Sequence, residues 1–453
     1  MTSRSALFGL FLLGAAGAGC SAPAPAEEEE IRGPSHIEPE LRRRLAKLSP
    51  AELPPPPPDV TNRFADDPAA AALGKKLFFE KRFSGPLLDD ANDGQAGTLG
   101  LQGETGKVSC SGCHIPEAGF LDVRSPRAQI SLGSAWTRRR APSLLGVSQM
   151  PFLMWDGRHD TAFSQPFTPL EDPLEINSSR LFVAQQIARL YRGEYEAVFG
   201  SLPAALDQYE ILPPEQAGCT ELPEDIAHGK CERPGSDDPD VTRIVVNVGK
   251  AIQAFTRQLQ CGRSRFDRFM DGEVEALTPD EQAGAQLFVG KGRCDTCHSG
   301  PYLTDMTFHN VGLEPDFTFF VGVLEDAGAA EGIAKMLEDP LNSRGAYSDG
   351  YDGRHEQIAL DLSWWLGAFK TPSLRCVSRR PSFMHTGEYR SLEDVVLFFN
   401  RGGDTQGFLG VSENHARDLT PEERGQLVAF LRALDGDGPD PSLVVPPELP
   451  PDP

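Results

Sequence analysis

Two short cysteine-histidine motifs carry the strongest chemical signal in this sequence. Residues 110–114 have the sequence Cys-Ser-Gly-Cys-His, and residues 294–298 have the sequence Cys-Asp-Thr-Cys-His. Both follow the C-x-x-C-H pattern of c-type haem attachment. The two thiols can form thioethers with the haem vinyl groups, and the adjacent histidine can then bind the iron. The predicted attachment and iron-binding residues are Cys110, Cys113, His114, Cys294, Cys297 and His298.

Two other uses of paired cysteines fit these motifs less well. A structural zinc site needs two pairs that converge on one tetrahedral centre. Here the pairs lie far apart in the chain, and each carries its own histidine. A thioredoxin-like dithiol needs no adjacent histidine. The sequence therefore predicts two covalently bound haem c groups.

The beginning of the chain predicts export. Arg4 precedes an apolar run over residues 6–18, and small residues lead directly to Cys20. This pattern is typical of a secretory signal, residues 1–20, and is too short for a transmembrane helix. Cys20 after small residues indicates lipoprotein processing with a lipid anchor, and ordinary cleavage is the alternative. We expect the protein in the periplasm or cell envelope.

The remaining cysteines predict two disulfides. Once the haem motifs and Cys20 are set aside, an even number of cysteines is left, which in an exported protein indicates disulfide bonds. Cys219 and Cys231 form the obvious local pair, and Cys261 with Cys376 follows by elimination. Functional thiols are the alternative, but no basic residue is evidently placed to lower their pKa.

The net charge excludes one class of partner. The 453 residues carry a formal charge of −23 at pH 7, with 66 acidic residues against 43 Lys and Arg. Such a polyanion repels a phosphate backbone, so no nucleic acid is expected as a partner. A basic redox protein would be attracted to this surface.

Composition divides the chain into segments. Residues 21–64 are rich in Pro and Glu and are predicted to be a disordered tether. Two haem domains are expected to follow, over 65–243 and 244–440, with an acidic, Pro-rich insertion at about 202–240 and a Pro-rich tail over 441–453. The predicted fold class is mainly α, with two loop-rich, cytochrome c-like haem domains.

Three segments have clear helical signals. Residues 246–260 place Val248, Ile252, Phe255 and Leu259 on one face. Residues 278–288 begin with Thr-Pro-Asp-Glu, a capping box with proline at the first helical position, and the segment from Thr420 begins in the same way. No run of alternating apolar residues indicates strands.

Besides the haem motifs, several segments carry a combined resemblance to a known family: residues 73–79, 140–144, 155–158, 251–259, 266–269, 292–305, 369–375, 384–387 and 391–403. Taken together, they resemble the bacterial di-haem cytochrome c peroxidase family, which includes the MauG-type enzymes. The similarity runs in order from about residue 70 to 435, and as a set it is specific.

The resemblance implies a division of labour between the haems. The haem on His114 would bind and cleave peroxide, and the haem on His298 would receive electrons and pass them across. The family's peroxide pocket has a Glu and a Gln, which correspond to Glu175 and Gln165, and Trp155 corresponds to a tryptophan between the haems. Considered without the family, the first two would be surface residues and Trp155 a packing residue.

The chain departs from the family pattern at the first haem. Typical members place a distal histidine some sixteen residues after the first proximal one. Ile130 stands at that distance, and neither residues 131–136 nor the preceding loop contain a histidine. We therefore expect the first haem to be five-coordinate or water-bound at rest, as in the MauG-type members.

A second departure concerns the distal ligand of the second haem. The family supplies a Met or Tyr where this chain has Phe399, which cannot bind iron. Either the ligand is lost, which we favour, or Met384, His385 or His309 replaces it. Met384 is otherwise a core residue beside the haem. Loss of an axial Met would lower or broaden the reduction potential.

Several basic residues are expected around the haems. Arg140 and Arg380 match the family's calcium region, and because cations stand there, calcium is not expected. Residues 138–140 are instead predicted to pair with haem propionates. His159 is predicted to be a surface residue.

These observations predict an exported di-haem c-type peroxidase. It would reduce hydrogen peroxide to water with electrons from a small cytochrome c or cupredoxin. One alternative is a MauG-type oxidase of Trp or Tyr residues on a partner protein. The other is a non-catalytic di-haem electron carrier or redox sensor, which would have no need of Glu175 and Gln165. The sequence is compatible with a homodimer.

Overall fold

Helices and long loops make up most of the computed structural model, which describes residues 32–124, 130–223, 231, 235, 237–314, 326–358 and 361–452. The predicted signal segment and Cys20 lie outside the described residues. Within these ranges, no helix combines the length and the apolar composition that crossing a bilayer would require. The predicted class, mainly α and loop-rich, is confirmed.

The α-helices vary from one turn to five. Their bounds are α1 Pro39–Leu48, α2 Pro68–Phe79, α3 Cys110–Cys113, α4 Phe167–Glu171, α5 Arg180–Leu190, α6 Arg192–Phe199, α7 Pro239–Thr256, α8 Arg265–Met270, α9 Pro279–Val289, α10 Ala329–Glu338, α11 Leu392–Arg401, α12 Pro421–Arg432 and α13 Pro441–Val444. Two short strands, β1 Phe308–His309 and β2 Phe369–Lys370, pair antiparallel.

Capping residues set the starts of the predicted helices. The side chain of Thr278 accepts the Glu281 N–H at the start of α9, and Thr420 accepts the Glu423 N–H at the start of α12. Both capping boxes are therefore confirmed. Helix α7 begins at Pro239 rather than at Val246, because Asp238 caps it and the apolar periodicity alone gave no start signal.

Two large apolar cores hold most of these helices together. The first is built mainly by α2, α5 and α7 and includes Leu73, Phe78 and Phe255. The second is built mainly by α1, α8, α9, α11 and α12 and includes Phe288 and Phe430. The predicted domain boundary at 243–244 falls inside α7, and the buried face of this helix packs into the first core.

The predicted tether does not extend to residue 64. Helix α1 buries Leu45 and Leu48 in the second core, together with Ile37. Arg44 on the same helix donates to both carboxylate oxygens of Asp295, at 2.6 and 2.9 Å. The Pro- and Glu-rich composition concealed a short amphipathic helix, whose apolar residues lie one turn apart.

The predicted disulfides are confirmed. Cys219 is bonded to Cys231, and Cys261 is bonded to Cys376 across 115 residues of sequence. Both partners of the second disulfide are buried in the first core, although Cys376 lies in the C-terminal half of the chain. This bond therefore connects the two halves of the sequence.

Removing the long disulfide should cost stability. Replacement of both Cys261 and Cys376 by alanine is expected to lower the free energy of unfolding by about 2–5 kcal/mol, because the bond constrains a long loop of the unfolded chain. Denaturant titration of the holoprotein would measure the difference. A double variant at Cys219 and Cys231, which closes only a short loop, should lose less, and an equal loss in both variants would contradict this explanation.

Candidate functional site

Both haem motifs line one cavity of about 870 Å³. Such a volume lies in the upper range of pockets that hold organic cofactors. The four motif cysteines take no part in disulfides, whereas the other four cysteines in the described chain form two. The residues that line the cavity from the two motifs are Cys110, Cys113, His114, Cys294, Cys297 and His298. The donor set and the space fit two covalently attached haems.

Short turns place the two histidines. His114 directly follows the one-turn helix α3, and its N–H donates to the Cys110 carbonyl at 2.8 Å. In the second motif the His298 N–H donates to the Cys294 carbonyl at 2.9 Å, and its Nδ1 lies 3.0 Å from the Leu303 carbonyl. Because a carbonyl only accepts, Nδ1 carries the proton, and Nε2 keeps a lone pair that could bind a haem iron.

Glu175, Gln165 and Trp155 line the same cavity as the haem motifs. Gln165 lies just before α4, and Glu175 follows that helix in a turn closed by its N–H to the Asp172 carbonyl at 3.0 Å. Burial raises the pKa of Glu175 to about 8, with Asp172 adding to the rise and Arg158 opposing it. At neutral pH most of this group is therefore protonated, and the carboxylate, which can accept a proton, becomes the main form above about pH 8.

Hydrogen bonds and ring contacts orient the other two side chains. The Gln165 amide donates from Nε2 to Met154 Sδ at 3.4 Å, and the Trp155 indole donates to the Arg140 carbonyl at 2.7 Å. The ring centre of Trp155 lies 6.4 Å from that of His385, which stacks on Phe369 at 3.6 Å. A backbone hydrogen bond connects this wall to β2, because the Lys370 N–H donates to the Trp155 carbonyl at 2.8 Å.

The prediction that His159 lies on the surface is wrong. Its side chain is 6% exposed and lines the cavity. Nδ1 lies 3.1 Å from Ser164 Oγ and Nε2 lies 2.7 Å from Thr168 Oγ1, so both ring nitrogens have hydrogen-bond partners. The two hydroxyl groups that allow its burial lie five and nine residues further along, and no simple motif links them.

The candidates for the second distal ligand also line the cavity. Phe399, Met384, His385 and His309 are all found there. Both nitrogens of His309 lie 2.7 Å from a carboxylate, one from Asp305 and one from Glu413. These contacts, with Asp305 first, together with a contact to Cys297, raise the pKa of His309 to about 11, and a protonated ring has no lone pair for iron.

Residues 138–140 are predicted to pair with haem propionates, but the side chain of Arg139 pairs with carboxylates of the chain itself. Its guanidinium donates to Asp156 at 2.6 Å and to Asp326 at 2.7 and 2.9 Å. The side chain therefore has two carboxylate partners within the chain. Asp326 is distant in sequence, so neither spacing nor resemblance pointed to this pair.

Comparison with known proteins identifies the family. The model of the di-haem cytochrome c peroxidase family matches residues 68–275. The cytochrome-c peroxidase IdrP2 of Denitromonas iodatirespirans is 30% identical over 383 residues, which cover 83% of this chain and 84% of that protein. The chain belongs to the di-haem cytochrome c peroxidase family. It is accordingly an oxidoreductase that binds two c-type haems.

Other members of the di-haem cytochrome c peroxidase family are similar over a comparable length. The methylamine utilization protein MauG of Methylorubrum extorquens is 28% identical over 383 residues, covering 84% of this chain and 82% of that protein. The crystal structure of the di-haem peroxidase BthA from Burkholderia thailandensis superposes with a TM-score of 0.60 at 23% identity, covering 89% and 99% of the two chains. This last comparison shows a shared fold.

Proposed function

We propose that this family member reduces hydrogen peroxide to water with electrons from a small cytochrome c or cupredoxin. The family implies peroxide as substrate and cytochromes as donors in general terms. The observation that supports the proposal most is the position of Glu175 and Gln165 on the cavity that the Cys110–His114 motif also lines. A pure electron carrier needs no buried carboxyl group of this kind.

Each side chain then has a stated task. When bound, the two haems supply the iron that receives peroxide and the electrons that cleave the O–O bond. The Glu175 carboxylate takes a proton from one peroxide oxygen and returns it to the oxygen that leaves as water. The Gln165 amide orients the peroxide, and Trp155 relays electrons between the halves of the cavity.

We also propose that the first haem is open at rest. Ile130 stands where typical members have a distal histidine, and its side chain is buried. The next histidine in the chain, His159, already has hydrogen-bond partners at both ring nitrogens. The fully oxidised protein would therefore accept peroxide without a preceding reduction step.

A donor-coupled assay tests the proposed reaction. Reduced small cytochrome c or cupredoxin is mixed with the di-haem protein and hydrogen peroxide, and donor oxidation is followed by absorbance. We expect two donor molecules oxidised per peroxide consumed, since each carries one electron. A protein with both haems attached that consumes no peroxide with any such donor would overturn the proposal.

A MauG-type oxidase is the second candidate function. The absence of the first-haem distal histidine favours it, because this is the feature in which the chain departs toward the MauG-type members. In that case peroxide would be consumed with a Trp or Tyr of a partner protein as the electron source. Mass spectrometry of partner proteins after peroxide treatment would show the oxidised residue, whereas a peroxidase leaves them unmodified.

We propose that the second haem lacks a distal protein ligand. Phe399 offers no atom that binds iron, and His309 is held by Asp305 and Glu413. Met384 and His385, which both line the cavity, are the competing ligands.

Carbon monoxide binding should reveal this open position. The fully reduced protein is expected to bind two carbon monoxide molecules, one per haem, in an absorbance titration. The Phe399→Met variant should bind only one, because a thioether then occupies the second iron. Met384→Leu is the matched control and should leave the wild-type spectrum unchanged; a new high-spin signal in this variant would instead identify Met384 as the ligand.

We also propose that the protein is exported from the cytoplasm. Members of this family are periplasmic cytochromes, and we propose the same location here, with Cys20 as a lipid anchor. Calcium is not proposed as a cofactor, because the cations Arg140 and Arg380 both line the cavity that the haem motifs also line. The formal charge of −23 favours a donor with a basic surface.

A further inference from the structure

Three buried polar atoms without partners lie on one short segment, residues 380–385. They are Arg380 Nε, Ser382 Oγ and His385 Nε2. Ser382 is 1% exposed and His385 is 4% exposed, and all three side chains line the cavity that contains both haem motifs. Leaving a buried polar atom without a hydrogen-bond partner is unfavourable, so three such atoms on one segment point to a ligand that supplies the partners.

Arg380 also lacks a counter-charge. Its Nη2 donates to the Ser373 carbonyl at 2.6 Å, and among the described residues no carboxylate lies within ion-pair distance of it. Burial, with Arg140 adding to the effect, lowers the pKa of Arg380 to about 10. A buried guanidinium is normally paired, as Arg375 is with Asp267 at 2.8 Å. The segment therefore presents a positive charge to the cavity.

We propose that segment 380–385 binds the propionate carboxylates of haem. Arg380 and Ser382 would hold a propionate of the haem attached at residues 294–298, and His385 would provide a further donor. A guanidinium matches the geometry of a carboxylate, and a hydroxyl group can donate to it at the same time. Arg380 lies on the side of the second motif, because it donates to the Ser373 carbonyl and the Ser373 hydroxyl group donates to the Tyr302 carbonyl, four residues after His298.

This assignment predicts an effect on the reduction potential of the second haem. A propionate whose charge is no longer neutralised stabilises the oxidised iron, which carries one more positive charge than the reduced iron. Loss of Arg380 should therefore shift the midpoint potential downward. The inference rests on the presence of the haems and not on the peroxidase reaction, so the two can fail independently.

Spectroelectrochemical titration of the di-haem protein tests the inference. Arg380→Gln is expected to lower the midpoint potential of the second haem, whereas Arg380→Lys should retain most of the wild-type value. Arg379→Gln is the matched control, because Arg379 is an exposed neighbour that does not line the cavity and should leave both potentials unchanged. Ser382→Ala should give a smaller downward shift and serves as the test if Arg380→Gln does not load both haems.

Two results would overturn the assignment. Unchanged potentials in Arg380→Gln, or in Ser382→Ala if Arg380→Gln does not load both haems, would show that segment 380–385 holds no propionate. If Arg380→Gln shifted the midpoint potential of the second haem in chloride buffer but not in acetate buffer, the partner of Arg380 would be a free anion. We expect the same shift in both buffers, since the propionate is part of the attached haem.

Discussion

Replacing Glu175 with glutamine should slow the reaction with hydrogen peroxide by about two to four orders of magnitude. The amide keeps the shape of the carboxyl group but can no longer take a proton from one peroxide oxygen and return it to the other. Stopped-flow absorbance of the oxidised holoprotein mixed with peroxide measures the rate directly. An unchanged rate would remove Glu175 from the mechanism.

The pH dependence provides a second signature of the same residue. Burial raises the pKa of Glu175 to about 8, and the step needs the carboxylate to accept the first proton. The rate with peroxide should therefore rise with pH up to about 8 and level off above it. The Glu175→Gln variant should lose this rise, and a wild-type rate that falls over the same range would contradict the assignment.

Measuring the free energy of unfolding of Glu175→Gln distinguishes a loss of catalysis from misfolding of the variant. A carboxyl group with a raised pKa in the folded state favours folding only while it is protonated, so its contribution is lost as the pH rises from about 4.5 toward 8. Glutamine carries no such penalty. The Glu175→Gln variant should therefore be at least as stable as the wild type at pH 8, although it is far less active.

Removing one haem motif at a time should separate the two haem functions. Replacement of Cys110 and Cys113 by alanine is expected to remove one covalent haem and to abolish the reaction with peroxide. Replacement of Cys294 and Cys297 should remove the other haem, leaving a first reaction with peroxide but no sustained oxidation of the donor. The physical reason is that thioether attachment fixes each haem beside its own histidine.

Two measurements check this separation. Mass spectrometry of the purified protein counts the attached haems, and stopped-flow absorbance distinguishes a single reaction with peroxide from continuous turnover. If the Cys294 and Cys297 double variant lost the peroxide reaction while the Cys110 and Cys113 variant kept it, the assignment of the two haems would be reversed.

The parts of this molecule that sequence predicted well depend on local rules. A C-x-x-C-H motif needs only five consecutive residues, and a capping box such as that of Thr278 and Glu281 needs four. The disulfide between Cys219 and Cys231 is local in the same sense. Cys261 with Cys376 was found only because no other cysteines remained.

The features that sequence missed depend on contacts between distant segments. Helix α1 packs through Leu45 and Leu48 onto a core formed mostly by residues beyond 266, so its own composition gave no indication of burial. Arg139 has a partner in Asp326, and the unpartnered atoms of segment 380–385 become visible only when the cavity is known. Composition describes a segment, whereas burial and pairing depend on its neighbours.

The state of the first haem at rest is tested most directly by stopped-flow absorbance of the fully oxidised protein. Samples with and without prior one-electron reduction are mixed with hydrogen peroxide under the same conditions. An open first haem predicts a rapid change of the haem absorbance in both samples, and a high-spin contribution in the resting spectrum. A reaction that requires prior reduction, or a resting spectrum of two low-spin, six-coordinate irons, would contradict it.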